Sequence, residues 1–288
     1  MKYFRKSKGV AMELINGREI SDEIRLQVKE KVQTAGISPN LGIIIVGDDK
    51  ESLLYVGLKE KAVSFIGGTV QHLVLPGNTS RETLLERISK LNQDPSIDGI
   101  LLQLPLPEPL QAHADEFLAA IDVNKDVDGF NPINRGRLIY GTPRFISCAA
   151  LGCLDVIHRS CQTTKGKTAV LVGDSFDVIL PLALLLNKEG CQVTVVPEMP
   201  MKSSLPDADI YVIEKGHPES LQAHQVANGS LILDVGFYWH YDHSCGNVKP
   251  EALSGMEGKL LPVPGGLGPI LIAKLVENLY LAAAGEKD

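Results

Sequence analysis

Tyr55 and Lys59 stand four residues apart in a stretch with helical spacing, so their side chains leave the same helix face. A lysine amine beside a phenol in an apolar pocket can move a proton or stabilise negative charge as it develops. Spacing alone fits a solvated helix surface as well, because that is where most lysines lie. A second set, His240-x-x-His243-x-Cys245 with Asp242 inside it, offers nitrogen and sulfur donors of the kind zinc takes. Only three such ligands sit in this short loop, and no metal is expected. The aromatic run Phe237-Tyr238-Trp239 reads as packing rather than as a stacking platform. Cysteines at 148, 153, 161, 191 and 245 are scattered without C-x-x-C spacing. They read as reduced, mostly buried small hydrophobes of a cytoplasmic protein.

The elements that must position these groups alternate between helix and strand. Ile20 to Ala35 has helical spacing, with Ser21 as its expected N-cap and Ile24 and Val28 facing inward. Leu41 to Val46 is a β-branched run ending at Gly47-Asp48-Asp49, which predicts a buried strand and its turn. Ser52 to Ile66 predicts a helix stopped by Gly67-Gly68. Val70 to Leu75, Ser80 to Asn92 and Ile97 to Leu104 continue as strand, helix and strand, which implies a mainly parallel sheet. Leu110 to Ile121 reads as helix and Asp122 to Leu138 as a Gly- and Asn-rich loop. From Ala149 a helix leads into a second βαβ series: strands at Thr168 to Val172, Gln192 to Val196, Asp209 to Ile213 and Ser230 to Val235, with a helix at Val178 to Lys188. Gly265 to Leu281 returns as a loop and a final helix.

A chain of 288 residues, 44% hydrophobic and 22% charged, is a natural size for two globular domains that need no disulfide staples. Its net charge of −7 gives no long-range attraction to nucleic acid or to an anionic membrane. The short basic start (Lys2, Arg5, Lys6, Lys8) lacks the apolar run of a signal peptide, and Met12 resembles a second possible start. Apolar stretches such as Val178 to Leu186 are too short to span a bilayer.

Four blocks carry a resemblance. Ser52-Leu53-Leu54-Tyr55-Val56-x-x-Lys59 is followed by Asp98-Gly99-Ile100-Leu101-Leu102-Gln103-Leu104-Pro105-Leu106-Pro107. Then come Lys125-Asp126-Val127-Asp128-Gly129-Phe130-Asn131-Pro132 and Pro262-Val263-Pro264-Gly265-Gly266-Leu267-Gly268-Pro269. In this order and spacing they resemble the bifunctional methylenetetrahydrofolate dehydrogenase/methenyltetrahydrofolate cyclohydrolase family, over nearly the whole chain from Met12. The resemblance implies two α/β domains with a cleft between them. Residues 1–148 plus 270–288 would form a folate-binding domain with a mainly parallel sheet, and 149–269 a Rossmann-like NADP-binding domain. It implies a homodimer joined through the second domain. Ser52 and Tyr55 would border the substrate, with Tyr55 packed along the pterin. Lys59 would be central to the cyclohydrolase step, in which water attacks the bridging carbon of an amidinium-like cation. Gln103 would hydrogen-bond that lysine, and Asp128 would pair with donors on the pterin ring. The Pro264-Gly265-Gly266 turn would bring backbone close to the ligand.

The dinucleotide side departs from the family. Its phosphate loop, Gly-Arg-Ser-x-x-Val-Gly-x-Pro, reads here Gly173-Asp174-Ser175-Phe176-Asp177-Val178-Ile179-Leu180-Pro181. Asp174 replaces the arginine, and Ile179 replaces the glycine that lets backbone approach a pyrophosphate. A like-charge contact costs about 1 kcal/mol in water and about 4 kcal/mol at an effective dielectric of 20, so Asp174 and Asp177 would repel phosphate. Val196-Pro197-Glu198-Met199-Pro200 stands in place of a Cys-His-Ser segment, and Ser147-Cys148-Ala149-Ala150 in place of Pro-Cys-Thr-Pro. The expectation is a cyclohydrolase whose second domain keeps its fold and binds NADP poorly or not at all, with NAD less clearly excluded. The rival readings are a full bifunctional NADP-dependent enzyme and a non-catalytic folate binder or accessory subunit.

Overall fold

The computed structural model describes residues 12–285 apart from 202 and 241, so the basic start at Lys2, Arg5, Lys6 and Lys8 lies outside the described residues. In chain order the elements are β1 (Glu13–Leu14), α1 (Gly17–Ala35), β2 (Asn40–Val46), α2 (Lys50–Phe65), β3 (Thr69–Leu75), α3 (Arg81–Gln93) and β4 (Gly99–Leu102). Next come α4 (Ala114–Ala120), α5 (Pro132–Tyr140), α6 (Cys148–Ser160), β5 (Thr168–Val172), α7 (Ile179–Lys188), β6 (Gln192–Val196) and β7 (Ile210–Ile213). The chain finishes with β8 (Leu231–Asp234), β9 (Tyr238–His240), β10 (His243–Cys245), β11 (Lys259–Leu261) and α8 (Leu267–Ala284). They form two compact units. The first is Arg18–Gly152 with the chain from Pro269 onward; the second is Cys153–Gly268 with the described residues up to Gly17.

The first unit holds a three-stranded sheet in the order β3-β2-β4, parallel throughout. The central strand β2 is apolar on both faces, as a covered parallel strand must be, with Leu41, Ile43 and Ile44 fully buried. Leu84 and Ile88 of α3 and Phe117 of α4 pack against Ile44 and Ile100. Ser21 does not cap α1, which begins four residues earlier; its hydroxyl instead donates to Pro269 O at 2.9 Å. The stretch expected to be a loop to Leu138 contains α5, whose start is set by Asn131 as N-cap and Pro132 in the first turn. Among the described residues α8 is the helix long and apolar enough to cross a membrane, contrary to the expectation that no stretch was, but 56% of it is buried inside the protein. A core helix with Ala273, Leu275, Val276 and Leu279 fully buried and a hydrogen-bonded Asn278 meets the same length test.

The second unit is a six-stranded sheet in the order β1-β11-β8-β7-β5-β6, every neighbouring pair parallel, with a separate antiparallel hairpin of β9 and β10. The chain leaves β5 through α7 to reach β6 on one side, then adds β7 on the other. The carboxyl ends of β5 and β7 therefore flank a topological switch point, where open α/β sheets bind their ligands. Strand β1 extends this sheet, with Glu13 N donating to Gly258 O at 3.0 Å and Ile15 N to Leu260 O at 2.8 Å. Residues 13–14, expected with the first domain, thus lie in the sheet of the second unit; a two-residue strand is too short to show a period in sequence.

Candidate active site

Helix α2 begins where Asp49 Oδ2 accepts from Ser52 N at 2.7 Å, an N-cap that fixes the phase of everything downstream. From that start Ser52 and Lys59, about two turns apart, both face inward, and each is less than a tenth exposed. Tyr55 lies half-buried between them. Lys59 Nζ donates to Gln103 Oε1 at 3.0 Å. Gln103 follows β4 directly: its backbone N–H continues the sheet to Ile44 O at 2.9 Å, and its Nε2 donates to Leu104 O at 2.7 Å. With Nε2 so engaged, the carbonyl oxygen is left to meet the lysine, so the amide fixes the direction of the amine.

Asp128 rides on a loop held from several sides. Asp126, almost fully buried, accepts from Phe130 N at 3.0 Å, Asn131 N at 2.8 Å and Asn134 Nδ2 at 2.8 Å. Burial nonetheless pushes its carboxyl up to about 6. Asn278 of α8 donates to Val127 O at 2.8 Å and to Ile146 O at 3.2 Å, gripping the backbone next to Asp128. Gly129 has φ +72°, and a Cβ there would lie 2.4 Å from Ile146 C, so no other residue fits. The Cys148 thiol is pushed up by burial and by Asp128, and pulled back by Lys59. Amine and carboxylate are thus both within electrostatic reach of one buried sulfur. Sequence reasoning missed Asn131, Asn134 and Asn278; the Asn131-Pro132 pair was the legible signal for the first of these.

The other expected site residues belong to the second unit. Gly265 has φ +88°, and a Cβ on Gly266 would lie 2.2 Å from Pro262 O, so the Pro264-Gly265-Gly266 turn needs both glycines for its own path. After β5, Ser175 Oγ accepts from Val178 N at 3.3 Å and Ile179 N at 3.2 Å, and so caps α7 with the chain's own hydroxyl. Ile179 is fully buried, and a Cβ on Gly173 would lie 2.9 Å from its Cγ1. Asp174 forms an ion pair with Lys215, which offsets part of the charge that the sequence assigned to this loop. On the hairpin, the His240 and His243 rings sit edge to face at 6.4 Å, and His243 pairs with Glu219 at 3.6 Å. No group of three or more His, Cys, Asp or Glu side chains able to hold a metal forms among the described residues.

A parallel α/β unit with a buried lysine directed by a glutamine, and a second with a Rossmann-type switch point, define a two-domain α/β enzyme. The chain belongs to the tetrahydrofolate dehydrogenase/cyclohydrolase family: residues 15–128 match the family's catalytic domain and residues 147–287 its NAD(P)-binding domain. It is 55% identical to the bifunctional protein FolD 1 of Syntrophomonas wolfei, over 94% of this chain and 99% of that one. The crystal structure of the bifunctional FolD methylenetetrahydrofolate dehydrogenase/cyclohydrolase of Campylobacter jejuni superposes with a TM-score of 0.88 at 36% identity, covering 96% of this chain and 99% of that one. That of the Trypanosoma brucei FolD, complexed with NADP cofactor and inhibitor, superposes at 0.86 with 28% identity, covering 95% and 97%.

Proposed function

We propose that this chain hydrolyses methenyltetrahydrofolate and that its dehydrogenase half is weak or lost. The contact between Lys59 Nζ and Gln103 Oε1 carries the first part. In the hydrolysis a water oxygen bonds to the bridging methenyl carbon and one of that carbon's bonds to nitrogen breaks. The formyl group stays on the other nitrogen, and one proton is released. Lys59 handles the proton, Gln103 holds the amine in line, and Asp128 pairs with pterin donors while Ser52 and Tyr55 border the ring. Affinity for the pterin would not require an amine anchored in this way, which counts against a non-catalytic folate binder or accessory subunit.

The second part rests on the loop after β5. A pyrophosphate needs open backbone at Gly173 and free N–H groups at the start of α7; here a Cβ on Gly173 would already meet neighbouring side chains, the buried Ile179 among them, and Ser175 takes up the N–H groups of Val178 and Ile179. These residues do not fit a dinucleotide. The competing reading, a full NADP-dependent bifunctional enzyme, is favoured by the match of residues 147–287 to the NAD(P)-binding domain and by the relative that binds NADP. We infer that the enzyme works in the cytoplasm as a homodimer. The test is to assay both reactions on one preparation and to titrate NADP and NAD by calorimetry. Cyclohydrolase turnover without saturable NADP binding is expected, and micromolar NADP affinity or comparable dehydrogenase turnover would reject the second half of the proposal.

A further inference from the structure

At the switch point of the second unit the backbone of Glu214 follows β7 and faces the loop that follows β5. Its N–H donates to Val172 O at 2.9 Å. Its carbonyl oxygen accepts from Asn247 Nδ2 at 3.3 Å and from the Tyr238 hydroxyl at 3.4 Å. Asn247 is itself fixed by the buried Asp234, through Nδ2 to Oδ1 at 3.1 Å, and by Tyr238 OH at 3.0 Å. The Glu214 side chain lies across Gly173: a Cβ on that glycine would fall 2.3 Å from Glu214 Oε2 and 3.2 Å from Glu214 Cβ. Burial, and to a lesser extent the nearby Asp177, push this carboxyl above its usual range, with Ser175 and Lys215 pulling it back. Oε2 is buried and finds no hydrogen-bond partner among the described residues.

We propose that Glu214 is the residue that bars phosphate-bearing nucleotides from the second unit, its carboxyl sitting over Gly173 as an internal anion where a pyrophosphate would otherwise rest. This rests on the reading that the unit takes NADP poorly, and it names the side chain responsible. A Rossmann loop offers an anion two things, open space over its first glycine and donors from the following residues. Glu214 occupies the space, and Ser175 already takes up the N–H groups of Val178 and Ile179. An incoming phosphate would have to displace this group or face its charge. Asp174 is different, because it lies outward and is paired with Lys215. The barrier concerns the pyrophosphate, which NAD and NADP share, so it excludes both.

The experiment is a calorimetric titration of NAD and of NADP into the full chain and into Glu214→Ala, Glu214→Gln and Ile179→Ala, with thermal melting and cyclohydrolase turnover as checks that each variant is folded. Glu214→Ala is expected to gain about tenfold or more in affinity for both nucleotides. Glu214→Gln, which keeps the bulk and removes the charge, is expected to gain a smaller but measurable amount and serves if the alanine variant does not fold. A folded Glu214→Ala or Glu214→Gln protein that binds neither nucleotide better than the unmodified chain overturns the assignment, as does recovery of binding by Ile179→Ala alone. If the unmodified chain already binds NADP at micromolar concentration, the underlying reading fails. Whether Glu214 restrains binding is then still decided by comparing the variants with that value.

Discussion

Both units are built around a buried aspartate tied to asparagine amides and backbone N–H groups, yet the two networks support opposite outcomes. In the first, Asp126 with Asn131 and Asn134 shapes the loop bearing Asp128, and beside it a lysine and a glutamine meet with chemistry intact. In the second, Asp234 accepts from Asn247 Nδ2 at 3.1 Å and Val248 N at 2.8 Å and holds the ends of the strands, and a Cβ on the nearby Gly173 would meet Glu214 and Ile179. Glycines at 216, 236 and 246 leave room for this second network: a Cβ on Gly246 would lie 2.1 Å from Asp234 Oδ2, and one on Gly236 2.2 Å from Asn247 Nδ2. The polar scaffolding is thus alike in the two units, whereas the side chains set at the strand ends differ. Fold and backbone framework are kept by dense packing and polar satisfaction, whereas ligand chemistry hangs on a few groups at strand ends.

The comparison breaks most readily at Lys59. If the first unit performs the hydrolysis, Lys59→Ala should lower kcat by about 10²–10⁴-fold, the usual range for a group that moves a proton. Folate binding, measured by fluorescence quenching or calorimetry, should be retained. Loss of binding together with turnover would make the lysine a packing element, and the two units would then differ less than their geometry implies.

Asp128→Asn should have a smaller effect of a different kind. Charge-assisted hydrogen bonds contribute about 1.5–3 kcal/mol, so KM should rise roughly 10- to 100-fold with a smaller change in kcat. A fall in kcat at unchanged KM would move Asp128 from recognition to the proton-transfer step.

How much of this was legible without coordinates varied with the range of the interaction. The face shared by Tyr55 and Lys59 follows from helical spacing, whereas Gln103 as the lysine's partner was implied by the family resemblance and not by any local pattern. The parallel sheets followed from the alternation of elements. What failed was either too short or too distant. Strands of two or three residues, β1, β9, β10 and β11, carry no period, and an asparagine N-cap was hidden in a stretch rich in loop formers. Asn278 and Glu214 act on backbone far along the chain, at Val127 and Gly173, and no local pattern marks them.

The smallest effect is expected at the position where the sequence departs most visibly from its family. Asp174 replaces an arginine and invites the view that loop charge alone excludes NADP. In the folded unit it is well exposed and paired with Lys215, and an exposed pair of this kind contributes about 0–1 kcal/mol. Asp174→Arg would free Lys215 and add a positive charge, yet Glu214 would still cover Gly173 and Ile179 would still pack beneath it. NADP affinity, read by calorimetry, should therefore change by less than about fivefold. Because NADP carries one phosphate more than NAD, whatever gain appears should favour NADP over NAD. A gain of about a hundredfold from this substitution would show that the second unit was closed by surface charge rather than by what fills its groove, and the contrast between the units would reduce to one exposed residue.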